Sequence, residues 1–322
     1  MTFFDLSRAE LEDYKPDLTR PADFDSFWSE TIAESQSKFQ PPKLERVDFG
    51  LSLFETFDTT FSGFNGEPIK AWFVKPKEQP ITSIIVEYNG YGGGRGFPHE
   101  RLQWAAAGFG YLFMDTRGQG SSWGSGGSTE DPHGSGAAHP GFMTKGLMDK
   151  NNYYFRRLIT DSVLAVSAVR SLELVPKEKI AVTGVSQGGG LAAIVAGLVP
   201  DLLATMPDVP FMCNFRRAVG LAARDPYAEI ERYLSIHRDH VDSAFSTLDY
   251  FDALNFVINA KSPALFSVAL MDDICPPSTV YAAKNHYLGH AEIERYDFNN
   301  HEGGAGHHWT KQIQWLRRIS NS

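Results

Sequence analysis

The stretch 179–198, KIAVTGVSQGGGLAAIVAGL, decides the fold. Its first part is a short apolar run bounded by a turn signal, the composition of a strand buried on both faces. Its last part, GGGLAAIVAGL, is built of small apolar residues without proline and reads as a buried helix. Between them lies Gly184-Val185-Ser186-Gln187-Gly188, so the chain must pass from strand to helix within a residue or two. A G-x-S-x-G turn in that context lifts the serine hydroxyl clear of the sheet and aims the first helical N–H groups to the same side. The competing reading is a chance glycine-rich turn; strand before and helix after weigh against it.

Outward from this unit the same rhythm repeats. Apolar runs SIIVEY (83–88), YLFMD (111–115), KIAVTG (179–184), RAVGL (217–221), PALFSVAL (263–270) and AEIERYD (291–297) alternate with helical runs. Such alternation predicts an α/β class: a mainly parallel sheet with helices on both faces. Upstream, Pro21 opens a helix in which Phe24, Phe27, Trp28 and Ile32 recur at three- and four-residue spacing. Residues 45–75 alternate apolar and polar around Asn65-Gly66, the pattern of an antiparallel hairpin. The chain of 322 residues is therefore expected to form one domain, 1–322. It should carry an N-terminal extension with hairpin over 1–80, a glycine-rich surface loop over 118–136 and a helical insertion over 223–262.

Composition narrows the function classes. The net charge of −9 argues against nucleic acid or an anionic membrane as partner. No run approaches the ~18–20 apolar residues needed to cross a bilayer. Two cysteines, Cys213 and Cys275, make no disulfide framework and read as buried thiols of a reducing compartment. The first residues are acidic where a signal peptide is basic, so a cytoplasmic location is expected.

A serine nucleophile needs a base and an orienting acid, in the chain order Ser, Asp or Glu, His for this topology. Met271-Asp272-Asp273-Ile274-Cys275 follows the strand PALFSVAL, and Asn300-His301-Glu302 follows the last strand. Strand ends at one sheet edge would bring Ser186, Asp272 and His301 together. Asp272 is preferred over Asp273 because it lies nearer the strand. Acyl transfer also needs two N–H donors for the oxyanion. After IIVEY, Asn89-Gly90-Tyr91-Gly92-Gly93-Gly94 supplies one, assigned to the Tyr91 amide, and the turn supplies the other, the Gln187 amide. A tight turn that merely needs glycine is a serious competitor for the first. No nucleotide-binding loop and no H-E-x-x-H is present, and His133 and His139 sit in a loop without acidic or thiol partners, so no metal or cofactor is expected.

These residues resemble carbohydrate esterase family seven, the acetyl xylan esterases and cephalosporin-C deacetylases, over nearly the whole chain. The resemblance rests on PADFDSFW, NGYGGGRGFPHE, Asp115-Thr116-Arg117-Gly118-Gln119-Gly120, HPGFMTKGL, GVSQGGG, VPFMCNFRRAV, PYAEIERYL, MDDICPPSTVYAA and Asn300-His301-Glu302. It implies an α/β-hydrolase fold, the triad Ser186, Asp272 and His301, and the Tyr91 and Gln187 amides as oxyanion hole. It further implies a cofactor-free serine esterase that deacetylates small acetylated carbohydrates and cephalosporin C and assembles as a hexamer. The pattern departs at Gly92, where asparagine is expected, and at Arg224-Asp225, which find no role. Arg117 is read as a buried ion-pair partner of Asp115 or of an acid near His301. A serine peptidase or a general short-chain carboxylesterase of the same fold, and a non-catalytic binding protein, are the competing readings. A peptidase of this kind carries a large gating domain, and a binding protein would lack a triad member.

Overall fold

The computed structural model describes residues 4–134 and 136–320. Nine strands form one sheet in the order β1-β2-β3-β5-β4-β6-β7-β8-β9. The strands are β1 (Lys43–Val47), β2 (Phe54–Ser62), β3 (Pro68–Pro76), β4 (Ile84–Tyr88), β5 (Gly110–Met114), β6 (Ile180–Val185), β7 (Ala204–Asp208), β8 (Ala264–Ala269) and β9 (Ala291–Tyr296). From β5 through β9 all neighbours are parallel, whereas β1, β2 and β3 run antiparallel beside β5. The β2–β3 hairpin turns at Asn65 and Gly66, both at positive φ (56° and 79°). Strand order reverses at β4, which pairs with β5 on one side and β6 on the other. Open parallel sheets place their ligand crevice at the strand C-termini beside such a reversal.

Helices cover both faces. One core joins β4 and β6 to the N-terminal α1 (Arg8–Asp13) and α2 (Phe24–Gln36). The same core includes α4 (Tyr154–Ser171), α5 (Gln187–Leu198) and α10 (Pro277–His286), with the short α3 (Gln103–Ala106) lying on the other face. In α2 the buried positions Phe24, Phe27, Trp28 and Thr31 share one stripe, and Trp28 Nε1 donates to the Tyr250 carbonyl at 2.9 Å. The second core packs Trp72, Ile85, Trp104 and Tyr111 against Ile313 and Leu316 of α11 (Ala305–Ser320). The stretch 223–262 contains α7 (Tyr227–Ile236), α8 (Val241–Leu248) and α9 (Leu254–Val257).

One strand lies elsewhere than expected. RAVGL belongs to α6 (Phe215–Leu221), in which Phe215, Ala218 and the following Ala222 are buried at helical spacing. A five-residue apolar run does not distinguish the two periods. The strand of that unit is ATMPD, which carries Pro207; proline cannot donate to a ladder and marks a segment against a central strand. The β7–β8 ladder registers Thr205 with Ala264 and Asp208 with Ser267 and skips the proline between them.

Candidate active site

β6 ends at Val185 and α5 begins at Gln187, leaving Ser186 as the hinge at φ 60°, ψ −117°. The Ser186 N–H donates to the Asp208 carbonyl at 2.9 Å, and its carbonyl accepts from Phe211 and Gly190 at 2.9 Å each. These bonds hold a conformation that a non-glycine residue adopts only under constraint. The helix start lies so close to β4 that a Cβ at Gly188 would overlap the Tyr88 carbonyl. Small residues around the serine are thus a packing requirement.

Asp272 follows β8 and is fully buried. Its Oδ1 accepts from the backbone N–H groups of Ile274 (2.9 Å) and Cys275 (2.8 Å), and its Oδ2 faces His301 Nδ1 at 2.8 Å. One oxygen is fixed by backbone, which leaves the other to hold the imidazole with Nδ1–H toward the acid and Nε2 outward. Ser186 and His301 line the same cavity, of about 400 Å³, together with Tyr91, Trp123 and Ile274. Asp273 points elsewhere: its side chain is half-buried and its Oδ2 meets Arg224 Nε at 3.2 Å. It is therefore an ion-paired group, and Arg224, for which the sequence offers no role, gains a partner.

The glycine-rich loop after β4 is held from four sides. Asn89 Nδ2 donates to the Gly94 carbonyl at 2.7 Å, and Trp123 Nε1 donates to the Tyr91 carbonyl at 2.7 Å. Gly92 N–H donates to Gln119 Oε1 at 2.6 Å, and the Tyr91 hydroxyl donates to Glu229 Oε1 of α7 at 2.7 Å. Burial raises the Glu229 carboxyl above its ordinary range against the Tyr91 bond. Gly92 sits at φ 80°, where asparagine is tolerated, but a Cβ there would come 2.7 Å from Ser122 Cβ. Glycine is what this packing admits. The Tyr91 and Gln187 N–H groups, one on this loop and one at the first position of α5, donate to no protein acceptor among the described residues.

Four residues near the site were not singled out as functional from sequence. Gln119 joins the two halves: its Nε2 donates to Gln187 Oε1 (3.0 Å) and to the Tyr154 hydroxyl (3.1 Å) while its Oε1 takes the Gly92 N–H. Gln187 Nε2 closes the circuit on the Asn89 carbonyl at 3.2 Å. Glu229 and Trp123 anchor the loop as described. Cys275 lies against the triad: its donor atom and those of Asp272 and His301 all fall within 4.8 Å of one another, although Asp272 and His301 already satisfy each other. Burial pushes its thiol well above the usual range. Arg117 is buried as expected, yet its partners are Asp161 (2.6 Å) and Glu67 (2.6 Å), and Asp115 instead binds the loop through the Arg95 N–H at 2.8 Å.

The acetyl xylan esterase (AXE1) family model matches residues 1–319. The chain is 37% identical, with a TM-score of 0.91, to the acetyl xylan esterase from Paenibacillus sp. R4, covering 97% of this chain and 99% of that one. To acetyl xylan esterase 1 from Thermoanaerobacterium sp. JW/SL YS485 it is 31% identical at a TM-score of 0.90, covering 98% and 99%. It is 24% identical over 310 residues to the acetyl esterase Axe7A of Xylanibacter ruminicola, 94% of this chain and 68% of that protein. The acylaminoacyl peptidase of Pyrococcus horikoshii, at 17% identity and a TM-score of 0.59, is similar in fold over 84% of this chain and 42% of that one.

Proposed function

Because the chain belongs to the acetyl xylan esterase family and is a carboxylic ester hydrolase, we propose that it removes acetyl groups from small acetylated carbohydrates, and from related esters such as cephalosporin C, through an acetyl-enzyme on Ser186. In this reading Ser186 Oγ attacks the acetyl carbonyl while His301 Nε2 accepts its proton. Asp272 stabilises the imidazolium through the Nδ1 bond. The negative charge on the carbonyl oxygen is met by the Tyr91 and Gln187 N–H groups. Collapse expels the sugar oxygen, which takes the proton from His301 and leaves as a hydroxyl. Water then attacks the acetyl group by the same route and restores Ser186.

The observation that carries the reading is the 2.8 Å bond from His301 to a buried, backbone-fixed carboxylate, at a cavity whose floor is a serine on a constrained turn. Acetylated xylo-oligosaccharides, cephalosporin C and octanoyl esters, compared as a panel, test it. Acetyl substrates should exceed octanoyl ones by several orders in kcat/KM, and equal rates would indicate a general carboxylesterase.

The same proposal includes a hexamer in the cytoplasm. Self-association is supported by an aromatic patch in which the exposed Phe49 and Phe97 lie 6.3 Å apart. The location is supported by two buried, unpaired thiols, and no helix among the described residues is long and apolar enough to cross a membrane.

A further inference from the structure

Beside the catalytic cavity lies a second one of about 330 Å³, at the low end of small-molecule sites. The two share Glu87, Arg101 and Val185, so Val185, the neighbour of Ser186, stands as a low wall between them. The second cavity occupies the C-terminal edge of the sheet on the α11 face. One side is apolar: the indole of Trp309, packed edge-on against Trp104 at 5.7 Å, and the half-exposed Val185. The other side is polar and rigid. Glu87 is held by the Tyr111 hydroxyl (3.0 Å) and Arg101 (3.1 Å), and Asp208 by Gln312 Nε2 (2.9 Å). Trp309 Nε1 is buried and finds no acceptor among the described residues.

We infer that this cavity is a subsite for the sugar ring next to the acetylated one. The inference rests on the acetylated-carbohydrate reading above and deepens it. The chemistry selects a neutral, amphipathic ring. Glu87, Asp208 and Glu302 against the single Arg101 disfavour an anion. Glu87 is paired with Arg101 and both Asp208 oxygens accept from Gln312 Nε2, so these carboxylates are fixed as hydrogen-bond acceptors for hydroxyls. A pyranose presents an apolar C–H face to an indole and hydroxyls to the fixed carboxylates of Glu87 and Asp208 and to the Arg101 guanidinium, all of which line this cavity. With the acetyl group on Ser186, the shared wall at Val185 sets the neighbouring ring in the second cavity. Substrate length, and not only the acetyl group, is therefore recognised.

Gly306, at the rim on α11, has open space where a Cβ would stand. Gly306→Phe places a bulky ring on the cavity lining at a position where an added Cβ meets no neighbour. It should lower kcat/KM for singly acetylated xylotriose at least about tenfold relative to kcat/KM for p-nitrophenyl acetate, the loss of about 1.4 kcal/mol of binding. A ratio within about twofold of the unaltered enzyme's would overturn the subsite. On the unaltered enzyme, unacetylated xylotriose should inhibit p-nitrophenyl acetate hydrolysis competitively and more tightly than xylose, and equal inhibition by the two would overturn it as well. Failure of the unaltered enzyme to deacetylate any acetylated sugar is a different outcome, which removes the substrate reading and the subsite together.

Discussion

At the scale of single residues, Ser186 is held at φ 60° by bonds from the backbone, not from its own side chain. Ser186→Ala should therefore keep the fold and the melting temperature while ester hydrolysis falls on the order of 10⁴-fold or more. Steady-state rates with p-nitrophenyl acetate decide this, and activity within tenfold of the parent would end the triad assignment. Asp272→Asn should cost kcat several orders of magnitude, because an amide there favours the wrong imidazole tautomer. Asp273→Asn, whose side chain pairs with Arg224, should change kcat/KM by less than about tenfold; the reverse ranking would move the acid by one position. Gln119→Ala leaves the buried Gly92 N–H and Gln187 Oε1 without partners. In the proposed site Gln119 is a positioning residue for the two amide donors, so kcat should fall about ten- to a hundredfold with KM within about twofold. A rise in KM alone would show that Gln119 shapes substrate binding instead. The gathering of Ser186, Asp272 and His301 at one sheet edge was legible in the sequence because each lies within a few residues of the end of a strand, so one-dimensional position fixes its place there. Gln119 and Glu229 were not, because their meaning lies in partners 68 and 138 residues away.

Between elements, the decisive contacts are charged. The glycine-rich loop, described over 118–134, is pinned to α4 through Asp131, which takes Arg157 at 2.9 Å and Lys145 at 3.0 Å. Burial opposes ionisation of Asp131, but Arg157 and Lys145 outweigh it and hold the carboxyl at about 2. A depressed carboxyl stabilises the fold above its unfolded value near 3.8, and that contribution disappears as pH falls toward about 2. Asp131→Asn should thus lose roughly 2 kcal/mol at neutral pH. Its unfolding free energy, from urea titrations, should then fall less steeply than the parent's between pH 4 and 2. An unchanged acid slope would show that Asp131 is not the group responsible. Elements with a strong local pattern, such as α2, α4 and the β2–β3 hairpin, could be read without the structure. β7 could not, because Pro207 contradicts a central strand and the adjacent RAVGL offers a more convincing one. The ladder tolerates that proline by skipping it, a solution that depends on β8 and so on residues far along the chain.

At the scale of the whole molecule, the exposed Phe49–Phe97 patch and the proposed hexamer make a concrete expectation. Light scattering should report about six times the 35.8 kDa chain across dilution, and a mass near that of one chain would reject it. Charge and composition argued against some classes of partner but could not choose an assembly, since an interface is a property of surface geometry. The order of the sheet has a consequence of another kind. The proposed nucleophile, Ser186, follows the strand at 180–185, whereas its proposed base, His301, follows the edge strand at 291–296. During synthesis the first two-thirds of the polypeptide can emerge and collapse with Ser186 already on its turn, yet without any group to take its proton. With the proposed triad, hydrolysis is expected only after the final strand has docked, so the recovery of activity during refolding should report completion of the sheet.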